Sequence, residues 1–275
     1  MSPTRDHTQH PADARRDGDG LAGIADEVPS DSGALSDARG AERNRLLRAI
    51  PDDEYARLQP YLESFPLEPM QILTEPGERI EHVHFPQTGI VSVLRRMRDG
   101  TLIEVITIGR EGMAGIAVTL GDPVSSLVIT GQVPGASKRM DAEAFADLLP
   151  NLPRLDELLR RYGLTIFEQT SQSLACNSLH SIEQRCARWL LMTHDRVDGD
   201  QFLLTHEILA QMLAVRRAGV TEVAGALQRA GVIGYTRGRI TIRDRAGLEG
   251  FACECYRAVR DQFARLLGDH AIESS

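Results

Sequence analysis

The sequence predicts an α+β protein in which an antiparallel β-barrel, a long helix and a winged helix-turn-helix follow one another along 275 residues. Two observations lead to this prediction. Apolar residues occur in short strand-like runs before residue 140 and recur at helical spacing after it. Near the C-terminus, two helical segments joined by a tight turn precede a short basic hairpin. A chain of this length suggests two domains.

The composition excludes several classes of protein. No apolar run reaches the roughly 18–20 residues that span a bilayer, so no membrane segment is expected. The N-terminus is polar and lacks the apolar stretch of a secretion signal, which favours a cytoplasmic protein. Four cysteines in so long a chain do not form a disulfide scaffold. The net charge of −8 argues against a generally basic nucleic-acid coat protein, but a local basic face remains compatible with it.

Residues 1–43 are predicted to be a disordered tail. They carry nine acids and five arginines, and their apolar residues are too sparse to bury a face. Order is expected from about Asn44, where leucines at helical spacing precede a short helix that starts near Pro51 and three acids.

The segment 44–150 contains the predicted barrel. Turn sequences rich in Gly, Pro and Asp separate its β-rich runs, and short strands at this spacing indicate an antiparallel barrel or sandwich. The runs cover residues 71–74, 82–85, 90–94, 102–108 and 127–130.

The segment 151–190 is predicted to be a dimerisation helix that starts at Pro153. From Leu155 to His180, residues recur at alternating intervals of four and three positions, which is the spacing of a helix–helix seam. An identical chain is the simplest partner, and packing on the chain's own barrel is the alternative. The predicted seam residues are Leu155, Leu159, Tyr162, Ile166, Gln169 and Ser173.

The segment 191–250 is predicted to be a winged helix-turn-helix. Thr205 suits the N-cap of a first helix, Ala214 falls at the tight turn, and Gly231 ends a second helix. Two short strands joined by Arg237-Gly238 form the wing. Between Thr205 and Arg245 there are seven arginines and three acids, a net charge of +4, so the other 234 residues sum to −12. A basic module on an acidic chain is typical of a nucleic-acid-binding domain.

The second helix starts with Arg216 and Arg217, where such helices face base edges in the major groove. Arginine there can donate two hydrogen bonds to guanine, and Glu222 can accept one from cytosine N4. The residues predicted to bind DNA are Thr205, His206, Arg216, Arg217, Gly219, Thr221, Glu222, Arg237 and Arg239. A winged helix that contacts only other proteins is the alternative.

This order of parts, from about Asn44 to Arg245, resembles the Crp/Fnr family of bacterial transcription regulators. The resemblance is strongest in Leu204–Ile242 and in the joint at 177–191. It implies a cyclic-nucleotide-binding-like sensor barrel of the β-roll or jelly-roll type and a homodimer. It also implies a two-fold symmetric operator in double-stranded DNA and RNA polymerase as a partner. Arg216-Arg217 match the family's recognition helix, whereas Ala218 stands where an acid is usual, so a different half-site is expected.

The resemblance also bears on the effector. Cyclic-AMP-binding members carry a Gly-Glu pair and then Arg-Ser or Arg-Thr in one loop. Here Met113 stands where Glu is needed, and no arginine occurs between Arg110 and Arg139, so cyclic AMP is not expected to bind. The effector, if there is one, is unidentified. The candidate pocket residues are Gly109, Gly112, Met113, Ser125 and Ser126.

Neither a metal nor a cofactor is expected. Oxygen-sensing relatives bind an iron–sulfur cluster through cysteines before the barrel, and this chain has none before Cys176. Cys253 and Cys255 are close in sequence, but only Cys176 and Cys186, much earlier in the chain, could complete a four-thiolate set. Unpaired thiols are therefore expected, with a redox switch through Cys253 or Cys255 left open.

Other chemistry is not indicated. His82 and His84, lacking a third ligand, are expected at the surface. No nucleophile–base–acid set suggests an enzyme. The segment 251–275 is predicted to form an amphipathic C-terminal helix that packs on the winged helix.

Overall fold

The computed structural model describes residues 39–268; the remainder of the predicted tail, 1–38, and residues 269–275 lie outside this range. The helices within the range are α1 (Arg45–Arg48), α2 (Asp52–Leu58), α3 (Ala142–Leu148), α4 (Pro153–Leu179), α5 (Ile182–His194), α6 (His206–Leu213), α7 (Arg217–Arg229), α8 (Arg245–Phe251) and α9 (Cys255–Leu267). The strands are β1 (Glu63–Leu67), β2 (Ile72–Thr74), β3 (His82–Pro86), β4 (Ile90–Arg96), β5 (Leu102–Ile108), β6 (Val128–Val133), β7 (Gly135–Asp141), β8 (Gln201–Leu203), β9 (Ile233–Thr236) and β10 (Arg239–Ile242).

Two antiparallel sheets build the N-terminal barrel, with strand orders β1-β7-β3 and β2-β6-β4-β5. The predicted α+β class with antiparallel strands first and a helix-turn-helix last is confirmed. The strands β1 and β7 were not predicted from the sequence. Their runs are Glu-Ser-Phe-Pro-Leu and Gly-Ala-Ser-Lys-Arg-Met-Asp, which lack the apolar alternation that reveals a strand.

Order extends N-terminal of the predicted boundary at Asn44. Glu42 is buried, and its carboxylate accepts hydrogen bonds from Lys138 Nζ at 2.7 Å and from the Tyr55 hydroxyl at 3.1 Å. The Arg39 guanidinium donates to the carbonyl of Leu47 at 2.7 Å. Ionic and polar groups therefore attach residues 39–43 to the barrel. A prediction that looks only for apolar residues cannot detect an attachment of this kind.

His84 is buried, contrary to the expectation of a surface residue. It is 5% exposed, its ring packs edge-on against Phe65 at 5.2 Å, and Arg139 of β7 is its cross-strand partner. Burial, followed by the nearby charges of His82 and Arg139, lowers the pKa of His84 to about 3. The imidazole is therefore neutral in the folded protein at any pH near 7.

The predicted dimerisation helix is two helices. The first, α4, ends at Leu179, and Ser181 caps α5. The Ser181 hydroxyl accepts from the Gln184 backbone N–H, and the Gln184 side chain accepts from the Ser181 N–H. This capping box favours a new helix start over continuation of α4.

The predicted seam faces the chain's own barrel and α5, which is the packing that the intramolecular alternative describes. Four of its six residues are at most 3% exposed, and the other two are half-buried. Gln169 donates to the Thr107 carbonyl of β5 at 3.3 Å, and Ser173 accepts from Arg188 of α5 at 2.9 Å. Seam spacing cannot distinguish an intermolecular face from an intramolecular one. The exposed apolar residues of α4 are Leu164, Phe167, Leu174 and Leu179.

The C-terminal helix α9 packs mainly on α4 and the barrel rather than on the winged helix. Val259 and Phe263 belong to the same buried cluster as Tyr162 and Phe85. One residue of α9, Tyr256, joins the winged-helix core. Among residues 39–268, no helix has both the length and the apolar character needed to cross a membrane.

Candidate nucleic-acid interface

The helix-turn-helix forms where the sequence predicts it. Thr205 caps α6, its Oγ1 accepting from the Ile208 N–H at 3.2 Å. Ala214 ends α6 in the left-handed conformation, with φ at 51°. This conformation costs a non-glycine residue roughly 1–2 kcal/mol, and alanine avoids the additional strain of a bulky or β-branched side chain there. Val220 and Leu227 of α7 are fully buried against α6 and α5.

The first two turns of α7 present an exposed polar face. Arg216 is the N-cap residue, Arg217 starts the helix, and Thr221 and Glu222 follow one turn later, all four with exposed side chains. Arg216 makes no side-chain cap, so the first N–H groups of α7 point outward without a capping oxygen. Such a helix start attracts phosphate oxygens.

Three residues predicted to contact DNA make contacts within the domain. The Thr205 hydroxyl is used in the cap of α6. The His206 ring stacks on Tyr235 of the wing, with centroids 4.5 Å apart, and its Nδ1 lies 3.1 Å from Thr221 Oγ1. Burial, followed by the charge of Arg217, lowers the pKa of His206, which makes it a weak phosphate ligand. Gly219 is half-buried and faces Ile182.

The wing is a tight hairpin of β9 and β10. Its central residues, Arg237 and Gly238, have φ of 50° and 77°, the pattern of a type I′ turn. The Gly238 carbonyl accepts from the Leu204 N–H at 2.8 Å, which attaches the wing to the start of α6. The strand β8, which was not predicted from the sequence, pairs with the other side of β10. Arg237 and Arg239 are exposed.

The charge of this surface is available to a ligand. Of the seven arginines between Thr205 and Arg245, only Arg245 has an ion pair within residues 39–268: it lies 2.6 Å from Asp195 and 3.3 Å from Glu249. The exposed ones are Arg216, Arg217, Arg229, Arg237, Arg239 and Arg243. The start of α7 and the wing therefore carry cations that no carboxylate of residues 39–268 neutralises.

The winged helix touches the barrel through a polar junction that the sequence did not indicate. Glu104 of β5 is half-buried; it accepts from Trp189 Nε1 of α5 at 2.8 Å and from Ser92 Oγ at 2.5 Å. Burial raises the pKa of Glu104, and these hydrogen bonds only partly offset that effect. Beside this junction, a cleft of about 640 Å³ separates the β4–β5 hairpin from Arg216 and Arg217.

The candidate effector loop is filled by side chains of the chain itself. Met113 is fully buried in the core. A Cβ on Gly112 would lie 2.2 Å from the Tyr162 hydroxyl. The Glu111 carboxylate binds the buried Arg196 guanidinium at 2.8 Å, and this partner keeps the pKa of Arg196 raised although burial opposes it. The Gly109 N–H also donates to Glu111.

The other two effector candidates serve the barrel. Ser125 Oγ donates to the Leu127 carbonyl at 2.7 Å, and the Ser126 carbonyl accepts from Arg95 at 3.1 Å. Tyr162 and Arg196 could not be identified from the sequence as neighbours of this loop, because both are distant from it in the sequence and no motif links them to it.

The four cysteines are unpaired, and three of them lie together, an arrangement that their spacing in the sequence did not indicate. Cys253 and Cys255 come together with Cys176 and His180, and the four candidate metal-ligating atoms all lie within 4.8 Å of one another. A fourth thiolate is not needed for such a group, because histidine completes many metal sites. Cys186, by contrast, is buried in the winged-helix core.

Comparison with known proteins agrees with this architecture. Residues 184–251 match the family model of the Crp-like helix-turn-helix domain. The transcriptional regulator LdrP of Thermus thermophilus is 27% identical over 186 residues, 63% of this chain and 88% of LdrP.

Two solved structures share the fold. FixK2 from Bradyrhizobium japonicum superposes with a TM-score of 0.59 at 16% identity, covering 70% of this chain and 98% of that one. TTHA1359, a CRP/FNR-family transcriptional regulator from Thermus thermophilus, superposes with a TM-score of 0.51 at 18% identity, covering 69% of this chain and 98% of TTHA1359. This chain therefore carries a Crp-like helix-turn-helix domain and has the fold of the Crp/Fnr regulators.

Proposed function

We propose that the protein is a sequence-specific DNA-binding transcription regulator that binds a two-fold symmetric operator as a homodimer. The observation that carries this proposal is the pair Arg216-Arg217, exposed and without a carboxylate partner at the start of α7 in a Crp-like domain. The protein LdrP, which is 27% identical to this chain over 186 residues, is itself a transcriptional regulator.

Sequence readout is assigned to the exposed start of α7. In this proposal Arg217 donates two hydrogen bonds to guanine O6 and N7, with Arg216 beside it. Glu222, one turn further, can accept from cytosine N4 or orient an arginine. Thr221 is already bonded to the Arg217 carbonyl and to His206, so its role is to hold this end of the helix.

Backbone contacts are assigned to the wing. Arg237 and Arg239 project from a hairpin whose backbone is hydrogen-bonded to the start of α6, so phosphate binding does not require the hairpin itself to become ordered. Two such modules related by a two-fold axis would occupy major grooves about one helical turn, roughly 34 Å, apart.

The dimer is assigned to the outer face of α4, in place of the seam that the sequence indicated. Phe167 is 66% exposed and Leu174 is 71% exposed, and Leu164 lies one turn before Phe167. These residues follow the three- and four-residue spacing of a coiled-coil stripe, with Ser171 between them. An apolar stripe of this kind on a 27-residue helix is stabilised by a second copy of the same helix.

The barrel is proposed not to bind cyclic AMP through the loop 109–113. Tyr162 and Arg196 occupy the space beside its glycines, and Glu111 is already neutralised by Arg196. The loop would then serve as a structural link between the barrel, α4 and the segment that follows α5.

Selection from random duplex DNA tests the proposal. The purified protein is incubated with the pool at low and at moderate salt, and bound DNA is sequenced. Enrichment of an inverted repeat is expected for the wild type and for Arg229→Ala, an exposed arginine at the far end of α7. Its loss is expected for Arg216→Ala/Arg217→Ala, since each base contact contributes about 1–3 kcal/mol.

The opposite result would also be informative. An unenriched pool with a folded dimer would contradict the proposal. It would support the alternative, a ligand-sensing module whose winged helix contacts other proteins.

A further inference from the structure

Two elements far apart in sequence place three cysteines and a histidine together. Cys176 lies in the last turn of α4, and His180 directly follows that helix. Cys253 lies in the connection between α8 and α9, and Cys255, two residues later, is the first residue of α9. The Cys176 and Cys253 sulfurs are 3.5 Å apart, and Cys255 Sγ is 3.6 Å from His180 Nδ1.

These separations fit the edges of one tetrahedron. Zn–S bonds of about 2.3 Å and a Zn–N bond of about 2.0–2.1 Å give S–S edges of about 3.8 Å and S–N edges of about 3.6 Å. All four donor atoms lie within 4.8 Å of one another, so small side-chain rotations bring every edge to those values. Three thiolates and one imidazole are a known ligand set of structural zinc.

The surrounding groups orient the ligands. His180 Nε2 lies 3.2 Å from the Glu254 carboxylate, which leaves Nδ1 directed at the sulfur of Cys255. A carboxylate that holds the second ring nitrogen is the usual support of a metal-binding histidine. Gln172 Nε2 donates to Cys255 Sγ at 3.0 Å, which stabilises a thiolate. All three cysteines are at most 4% exposed.

A disulfide or an iron–sulfur cluster would account for less of this arrangement. A disulfide between Cys176 and Cys253 would need a sulfur separation of about 2.05 Å and would give Cys255 and His180 no role. An iron–sulfur cluster places two or more irons and bridging sulfides between its ligands, which therefore lie farther apart than those of one ion.

We propose that Cys176, His180, Cys253 and Cys255 bind a single tetrahedral Zn²⁺. On binding, the three thiols release their protons to water and His180 coordinates through neutral Nδ1, with its Nε2–H donated to Glu254. The ion joins the end of α4 to the start of α9, next to the break at Ser181 where the chain turns into the DNA-binding domain. The ligands lie outside the exposed face of α7, so the site is independent of DNA binding.

Metal analysis of the full-length protein, purified without chelators, tests the site. One zinc per chain is expected for the wild type and for Cys186→Ser, which removes a buried cysteine outside the cluster. Cys253→Ser and His180→Ala are expected to retain at least tenfold less zinc. Circular dichroism establishes that each variant is folded.

Cobalt provides a second readout on the unmodified chain. After zinc is removed by a chelator, added Co²⁺ alone should give the thiolate-to-metal charge-transfer band and the intense visible bands of a tetrahedral site. Failure of the wild type both to retain zinc and to give this spectrum would overturn the proposal. Zinc retention by Cys253→Ser at the wild-type level, or iron with bound sulfide in the purified protein, would overturn it as well.

Discussion

Replacing Arg237 and Arg239 with alanine removes two exposed cations from the wing of each protomer while leaving the turn glycine, Gly238, and its hydrogen bond in place. A homodimer then loses four phosphate contacts. Each contact contributes about 0.9 to the slope of log affinity against log salt, so the slope should become shallower by about 3.6. Between about 50 and 200 mM salt, wild-type affinity should therefore fall about 150-fold more than that of the variant.

Fluorescence anisotropy with the selected operator and with an unrelated duplex measures this effect. Because phosphates carry no sequence information, the slope should change equally for both DNAs. The matched control is Arg257→Ala/Arg265→Ala, which removes the same charge from exposed positions on α9. An unchanged slope in the wing variant, or an equal change in the control, would refute local phosphate contact by the wing.

Three further predictions concern assembly and stability. Phe167→Glu should convert the dimer to a monomer by burying charge in the proposed stripe, and sedimentation that still shows a dimer at micromolar concentration would contradict the assignment. Lowering the pH from 7 to 5 should reduce the free energy of unfolding by about 2 kcal/mol through His84. Below pH 6.5 this histidine gains a proton in the unfolded chain, whereas in the folded protein, where its pKa is about 3, it stays neutral. This contribution is present above pH 6.5 and is lost as the pH falls towards 3, so urea melts of His84→Phe should show a correspondingly smaller loss. Gly112→Ala should lower the free energy of unfolding by about 1–3 kcal/mol, because its methyl group would overlap the Tyr162 hydroxyl. Gly163→Ala, in a helix with open space around this position, should raise the free energy of unfolding by up to about 1 kcal/mol. Equal melting curves for the two variants would contradict this prediction.

The winged helix-turn-helix could be predicted from sequence because its signals are local. A threonine cap, a tight turn, a helix with a clear inner face and an Arg-Gly hairpin lie within about forty residues of one another, and the structure contains each of them. Their geometry is fixed by backbone preferences that act over a few residues. No distant contact is needed to recognise them.

The faces and clusters that depend on distant contacts could not be predicted in this way. The repeat in α4 indicates that a face is buried but does not say against what, and the barrel covers it. Cys176 and Cys253 are 77 positions apart, and only the packing of α9 on α4 brings them together. The same holds for Glu42, whose partner Lys138 lies on a strand without an apolar pattern.

The packing of α9 has a consequence for how the chain folds during synthesis. The buried cluster beneath the barrel includes Leu46, near the start of the described residues, and Phe263, near their end. The barrel strands leave the ribosome long before the helix that completes their core. Until Val259 and Phe263 emerge, the part of this cluster that they cover stays exposed to solvent, and the shorter chain is expected to be prone to aggregation. A nascent chain truncated before α9 should consequently be captured by chaperones or degraded rather than accumulate as a free sensor domain.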